Sequence, residues 1–193
     1  MKVLYVDCET TGIDRSSCRI YQISGIVEID NAIVEHFNFM MNPGDVTIDD
    51  WVIDNIESQG LSIEMLLEYK NSDEVFSEFT ALLDRYIDRF DKSDKFHICG
   101  YNVRFDDDFM RIWFADNGHK FYDAYFYTDL LDVMTLASFI LAPIRHKLTN
   151  FRLLTICKLF DIPIIAHDAK SDIEATYNLK KSLENYCQFK KIN

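Results

Sequence analysis

The stretch Val3-Leu4-Tyr5-Val6-Asp7-Cys8-Glu9-Thr10-Thr11-Gly12 decides how the rest of the chain is read. Val3 to Val6 is apolar and β-prone, as a strand buried on both faces would be. Two carboxylates one residue apart follow, then two hydroxyl residues and a glycine. On an extended chain residues i and i+2 point to the same side, so Asp7 and Glu9 converge. Like charges held that close repel, and folding gains nothing from placing them there. A bound cation removes the repulsion, and carboxylates select hard ions such as Mg²⁺ or Mn²⁺ over zinc. Taken alone, the stretch fits a solvated strand end before a turn equally well. Both readings stand open at this point.

Outward from that strand, Ile13 to Ser17 reads as a loop and Arg19 to Glu28 as a second strand. Ile29-Asp30-Asn31 makes a tight turn, and Ala32 to Met41 is a third strand closed by Pro43-Gly44. Three strands in succession imply an antiparallel meander. Val46 to Tyr69 reads as short helical pieces separated near Gln59-Gly60. From Ser72 to Phe90, Val75, Phe76, Phe79, Leu82, Leu83, Tyr86, Ile87 and Phe90 recur at helical spacing, with Ser72 and Asp73 as the cap. Lys95 to Gly100 is a short buried strand, and Phe105 to Asn117 an amphipathic helix closed by Gly118. Ala124 to Thr128 reads as a further strand and Asp129 to Leu141 as a helix ended by Pro143. Helices over Thr149 to Asp161, capped by Thr149 or Asn150, and Asp168 to about Gln188 complete the chain. The expectation is an α/β fold. Its sheet is mixed and five-stranded, a three-strand meander followed by alternating helix and strand, flanked by helices. One domain covers 1–193.

Composition narrows the function classes. At 193 residues, 48% hydrophobic and 14% aromatic, the chain has material for a sizeable core. No apolar run approaches the ~20 residues that span a bilayer, and the N-terminus has no signal-peptide architecture. A cytoplasmic protein with no membrane partner is expected. The five cysteines show no paired metal-ligand spacing, which implies reduced thiols and no zinc site. A net charge of −12 argues against tight, non-specific duplex binding. The acid is concentrated between Asp45 and Asp94, whereas Arg145 to Lys191 carries more base than acid. An enzyme holding a few nucleotides through metals and backbone contacts remains compatible with it.

Two further constellations resemble the first in placement. Gly100-Tyr101-Asn102-Val103-Arg104-Phe105-Asp106 leaves a buried strand and enters a helix, and ligand sites in open α/β sheets gather at strand carboxyl ends. Near the C-terminus stands His167-Asp168-Ala169-Lys170-Ser171-Asp172. Each has a bland reading: acids in a first helical turn favour the dipole, which suffices for Asp107 and Asp108, and His167 alone is an ordinary loop residue. Together, Asp7, Glu9, Asp106 and Asp172 supply four carboxylates and His167 a base with an unperturbed pKa near ~6.5. That inventory suits two-metal hydrolysis of a phosphodiester.

In these motifs the sequence resembles the DEDDh branch of the 3′–5′ exonucleases, a DnaQ-like family of the ribonuclease H-like superfamily. The family's D-x-E-T-T-G stands as Asp7 to Gly12, its N-x-x-F-D as Asn102 to Asp106, and its H-x-A-x-x-D as His167 to Asp172. The resemblance covers nearly the whole chain, including Gly60-Leu61-Ser62, with Gln59 where many members have histidine. It implies that Asp7 bridges two divalent cations, Mg²⁺ or Mn²⁺. Glu9 and Asp172 complete the ion that carries the attacking water, and Asp106 holds the other. His167 is the implied general base. Backbone from Thr10, Thr11 and Gly12 to Ile13 lines the pocket of the terminal nucleotide, Asn102 positions the strand, and Leu61 is a wedge against the last base. The substrate is a single-stranded or frayed 3′ end, DNA in preference, with phosphate contacts from Arg145, Lys147, Arg152 and Lys170. The family's aromatic stacking residues are not placed: Phe37, Phe39 and Trp51 read as core rather than as base platforms. The rival readings are an RNA-trimming exoribonuclease, a non-catalytic nucleic-acid or polymerase accessory subunit, and a hydrolase of dinucleotides. A free-standing nuclease is expected over a proofreading subunit.

Overall fold

A computed structural model describes residues 1–165 and 169–189. Its centre is β1 (Lys2–Thr10), in the middle of a five-stranded sheet of order β3-β2-β1-β4-β5. Antiparallel to it runs β2 (Ile20–Ile29), and β3 (Ala32–Met40) runs antiparallel to β2. The turn between them uses Asp30 and Asn31 at φ 50° and 67°, left-handed values that short-side-chain acids and amides tolerate best. The remaining strands, β4 (His97–Gly100) and β5 (Leu131–Asp132), pair parallel. The mixed α/β sheet expected from the sequence is the one observed.

Alternation along β1 divides the molecule into two cores. Leu4, Val6 and Cys8 face one, with α3 (Ser72–Asp84) and α4 (Arg104–Asp116) packed over them through Phe76, Phe79, Trp113 and Phe114. Val3 and Tyr5 face the other, covered by α6 (Val133–Leu141), α7 (Leu153–Leu159) and α8 (Ala169–Phe189). Asp7 and Glu9 continue the Val3–Tyr5 face to the end of the strand, toward the start of α8. A smaller cluster sets α1 (Asp50–Ser58) and α2 (Ile63–Glu68) against Tyr21. Among the described residues no helix is long and apolar enough to cross a membrane.

Several local expectations change. Ala124 to Thr128 is not a full strand: a four-residue helix, α5 (Tyr122–Tyr125), takes its first two residues, Phe126 makes an isolated parallel bridge with Phe96, and the fifth strand follows at Leu131. Tyr122, Tyr125 and Phe126 also make ring contacts with Phe114. Helix α3 ends at Asp84, short of Phe90, which is exposed; its N-cap is Asn71, and the Ser72 hydroxyl accepts from the Trp113 indole. Helix α6 ends at Leu141 as expected before Pro143, which sits in a following 3-10 helix (Ala142–Lys147), but it begins at Val133 rather than Asp129 because Leu131–Asp132 pairs as β5. Helix α7 begins at Leu153, preceded by Asn150, whose side chain accepts from the Arg152 amide and the Thr155 hydroxyl. Phe37 is core and Phe39 packs against it, whereas Trp51 is 53% exposed, contrary to its core reading.

Candidate active site

Asp7 and Glu9 are half-buried at the carboxyl end of β1, and Asp172 arrives from the first turn of α8. One carboxylate oxygen of each lies within 4.8 Å of those of the other two. Chain segments more than 160 residues apart in sequence are thus brought to one point by the packing of α8 across β1. The i, i+2 convergence read from the sequence is observed, with its third member supplied as expected.

Asp106 reaches the same strand by a different route. The β1–β4 ladder pairs Val3 with His97, Leu4 with Ile98 and Tyr5 with Cys99, and β4 ends at Gly100. Beyond that point, among the described residues, the edge of β1 has no strand neighbour on this side. The Cys8 amide, left without a ladder partner, donates to Asp106 Oδ1 at 2.9 Å. Asp106 is only 4% exposed, and its carboxyl is pushed up to about 8. Burial is the main cause and the charges of Glu9 and Asp132 add to it, against the opposing hydrogen bonds from the Cys8 and Asp106 amides. A cation at this strand end would reverse the charge balance and favour the ionised form. Four oxygen-donor carboxylates, three within 4.8 Å and the fourth bonded to the backbone between the other two, fit hard divalent ions rather than zinc.

The loop after β1 is held from several sides. A register shift between Glu9 and Thr10 bends the strand, a device that re-aims side chains beside sites. Thr10 Oγ1 donates to the Gly12 carbonyl at 2.7 Å, and Thr11 Oγ1 accepts from the Arg19 amide at 3.0 Å. The two hydroxyls therefore serve the loop. Gly12 allows close approach: a Cβ there would meet the Asp49 carboxylate at 2.4 Å. Ile13 is exposed. Asn102, also exposed, adopts φ 62° and donates its amide to Asp132 Oδ1 at 3.1 Å. The same Asp132 carboxylate caps α6 through the amides of Met134 and Thr135. Asp132 and Asp49, which organise the two site loops, were not singled out from sequence; an acid directly before a helical run was the available signal for each. Leu61 is half-buried against the cluster of Tyr21, Val52, Ile56 and Leu66. Arg145, Lys147, Arg152 and Lys170 are all exposed. His167 lies outside the described residues.

Residues 4–179 match the RNase_T family, described as exonuclease. The chain belongs to this family. RNase_T exonucleases of this kind use divalent metal ions, in keeping with the oxygen-rich donor set. Among curated relatives, the DNA polymerase III PolC-type of Bacillus cereus is 27% identical over 184 residues, and that of Halalkalibacterium halodurans is 25% identical over 174. These alignments cover 93% and 90% of this chain but 11% of each polymerase. Among solved structures, E. coli exonuclease I in complex with a dA16 oligonucleotide superposes with a TM-score of 0.71. It is 24% identical over 96% of this chain and 42% of its own. The zinc-bound form of the E. coli exonuclease I–ssDNA complex gives a TM-score of 0.73 at 23% identity, over 96% and 40% of the two chains. At those identities the likeness speaks for the fold alone, a mixed five-stranded sheet flanked by helices.

Proposed function

We propose that this chain is a 3′–5′ exonuclease that removes nucleoside 5′-monophosphates from single-stranded or frayed 3′ ends, with DNA preferred. The observation that carries the reading is the meeting of Asp7, Glu9 and Asp172 beside a buried Asp106. Like charges gathered at one point repel each other, and a bound cation offsets that repulsion. The preference for DNA is supported by the kinship to DNA polymerases and by the DNA oligonucleotides held by the exonuclease I structures. The remaining parts of the proposal are one catalytic domain over residues 1–193 and a cytoplasmic location.

In this reading Asp7, Glu9, Asp106 and Asp172 would hold two divalent cations, Mg²⁺ or Mn²⁺, with Asp7 serving both, Glu9 and Asp172 serving one and Asp106 the other. Bound cations of this class acidify water and offset charge on a phosphodiester. His167 accepts the proton of the attacking water as its oxygen bonds to phosphorus. The bond from phosphorus to the 3′ oxygen breaks, that oxygen takes a proton from solvent, and a 5′-monophosphate leaves. Main chain from Thr10 to Ile13 lines the terminal nucleotide, Leu61 borders its base, and Asn102 positions the strand.

The test is incubation of 5′-labelled single-stranded DNA and RNA with Mg²⁺ or Mn²⁺. A ladder shortening from the 3′ end, lost in EDTA and in Asp7→Ala, is expected. A ladder on RNA alone would turn the reading to an exoribonuclease, and no cleavage of either strand would overturn it.

A further inference from the structure

The ladder between β1 and β2 slips at one residue. Glu9 pairs with Gln22 and Thr10 with Ile20, so Tyr21 is the extra residue of that register shift. Extra residues of this kind re-aim a side chain and recur beside active sites. The Tyr21 carbonyl accepts from the Met41 amide at 2.8 Å. Its side chain packs with Val52, Ile56 and Leu66, and Leu61 closes on the same cluster.

Tyr21 has no exposed surface, and its hydroxyl is buried with no hydrogen-bond partner. The other three buried tyrosines among the described residues each donate to a carboxylate. Tyr122 reaches Asp107 Oδ1 at 2.9 Å, Tyr125 reaches Asp84 Oδ1 at 3.0 Å, and Tyr5 reaches Glu28 Oε2 at 3.5 Å. A buried hydroxyl without an acceptor weakens a fold, so its retention calls for a reason. The acids whose charge bears on Tyr21 are those of the site. Burial pushes its hydroxyl far up, and the carboxylates of Glu9 and then Asp7 add to that. Gln22, opposite Glu9 on the ladder, has its side-chain amide committed to Asn38 Oδ1 at 2.9 Å.

We propose that Tyr21 is a positioning residue for Glu9. With a cation on the Glu9 carboxylate, the Tyr21 hydroxyl donates to that carboxylate, directly or through one enclosed water, and holds it in its binding orientation. Hydrogen-bonded supports of this kind fix a metal ligand and raise its affinity for the ion. The proposal rests on the cation-binding role that the exonuclease reading gives to Glu9.

Tyr21→Phe removes the hydroxyl and keeps the ring. In EDTA its urea midpoint equals or exceeds that of the wild type, because the orphaned O–H is gone. Titration with Mn²⁺ alone, followed by electron paramagnetic resonance, gives a Kd about ten-fold weaker. Tyr122→Phe, which strips a hydroxyl from a made hydrogen bond, does the opposite: its urea midpoint falls and its Mn²⁺ affinity is unchanged. In a Glu9→Gln background, Tyr21→Phe costs no further affinity. With single-stranded DNA, 3′ shortening by Tyr21→Phe returns to the wild-type rate as Mn²⁺ is raised. Wild-type Mn²⁺ affinity in Tyr21→Phe overturns the proposal while 3′ shortening still stands. So does a loss of affinity accompanied by a fallen urea midpoint, or one that persists in full beside Glu9→Gln. A wild-type chain that neither binds Mn²⁺ nor shortens the strand removes the exonuclease reading and the proposal together.

Discussion

Asp106 and Asp107 are neighbours in the first turn of α4, both buried, and the fold treats them in opposite ways. Asp107, with no exposed surface, accepts from Arg111 Nε at 3.0 Å, Arg104 at 3.4 Å and the Tyr122 hydroxyl at 2.9 Å. Arg111 in turn lies 4.3 Å above the Tyr122 ring and bonds Asp123. That carboxylate is fully provided with donors and cations, and its role is to join α4 to α5. Asp106 has backbone amides for its hydrogen bonds and two other acids, Glu9 and Asp132, for company. Burial without a counter-charge is costly, and proteins retain such an arrangement chiefly where a function requires it. The difference separates an acid that joins two helices from an acid that, in the proposed reading, would hold a cation.

The largest effect expected from this division is on catalysis. Asp7→Ala and Glu9→Ala should each lower the rate of 3′ shortening by on the order of a thousand-fold or more. Thermal stability in EDTA should stay near wild type, because both side chains lie at the end of β1 and belong to neither core. Asp107→Ala should do the reverse: stability falls by about 2–3 kcal/mol as Arg111 and Tyr122 lose their shared acceptor. Urea denaturation measures that loss, while activity per folded molecule persists.

Metal should act on the acidic side alone. At ~100-fold excess over its Kd, Mg²⁺ bound by the folded chain adds about 2.7 kcal/mol. That corresponds to a Tm rise of roughly 5–10 °C for a chain of this size. Most of the rise should vanish in Asp7→Asn and persist in Asp107→Ala; an equal rise in both would dissociate the cation from the Asp7 cluster. The smallest effect concerns thiols. Cys8, Cys18, Cys99 and Cys157 are buried and free. Burial pushes Cys99 and Cys157 up to about 12 and holds Cys8 well above its ordinary range, so at pH 8 all three are protonated. A thiol reagent should label them only when denaturant is added.

The sequence was most informative where a short pattern has one geometric outcome. The period-2 strand placed Asp7 and Glu9 on one side, and the meander followed from three strands with tight turns between them. Convergence of Asp172 with that pair followed from motif order. What stayed hidden depends on long-range contacts. The two-residue β5 has no pattern of its own, and the aromatic run before it is shaped by Phe114. Asp107 looked like an ordinary first-turn acid, although Arg104 and Arg111 at i−3 and i+4 were a visible sign of its ion pairs. Trp51 read as core because a tryptophan is expected to be buried. Its exposure emerges only when Asp49 ties it to the loop after Gly12.

The comparison on α4 rests on one paired measurement: the rate of 3′ shortening and the urea midpoint for Asp106→Asn and Asp107→Asn, at equal concentrations of folded protein. The account predicts an Asp106→Asn chain that is as stable as wild type and inactive. It predicts an Asp107→Asn chain that is less stable and active. Full activity in Asp106→Asn, or inactivity in a folded Asp107→Asn, would contradict it.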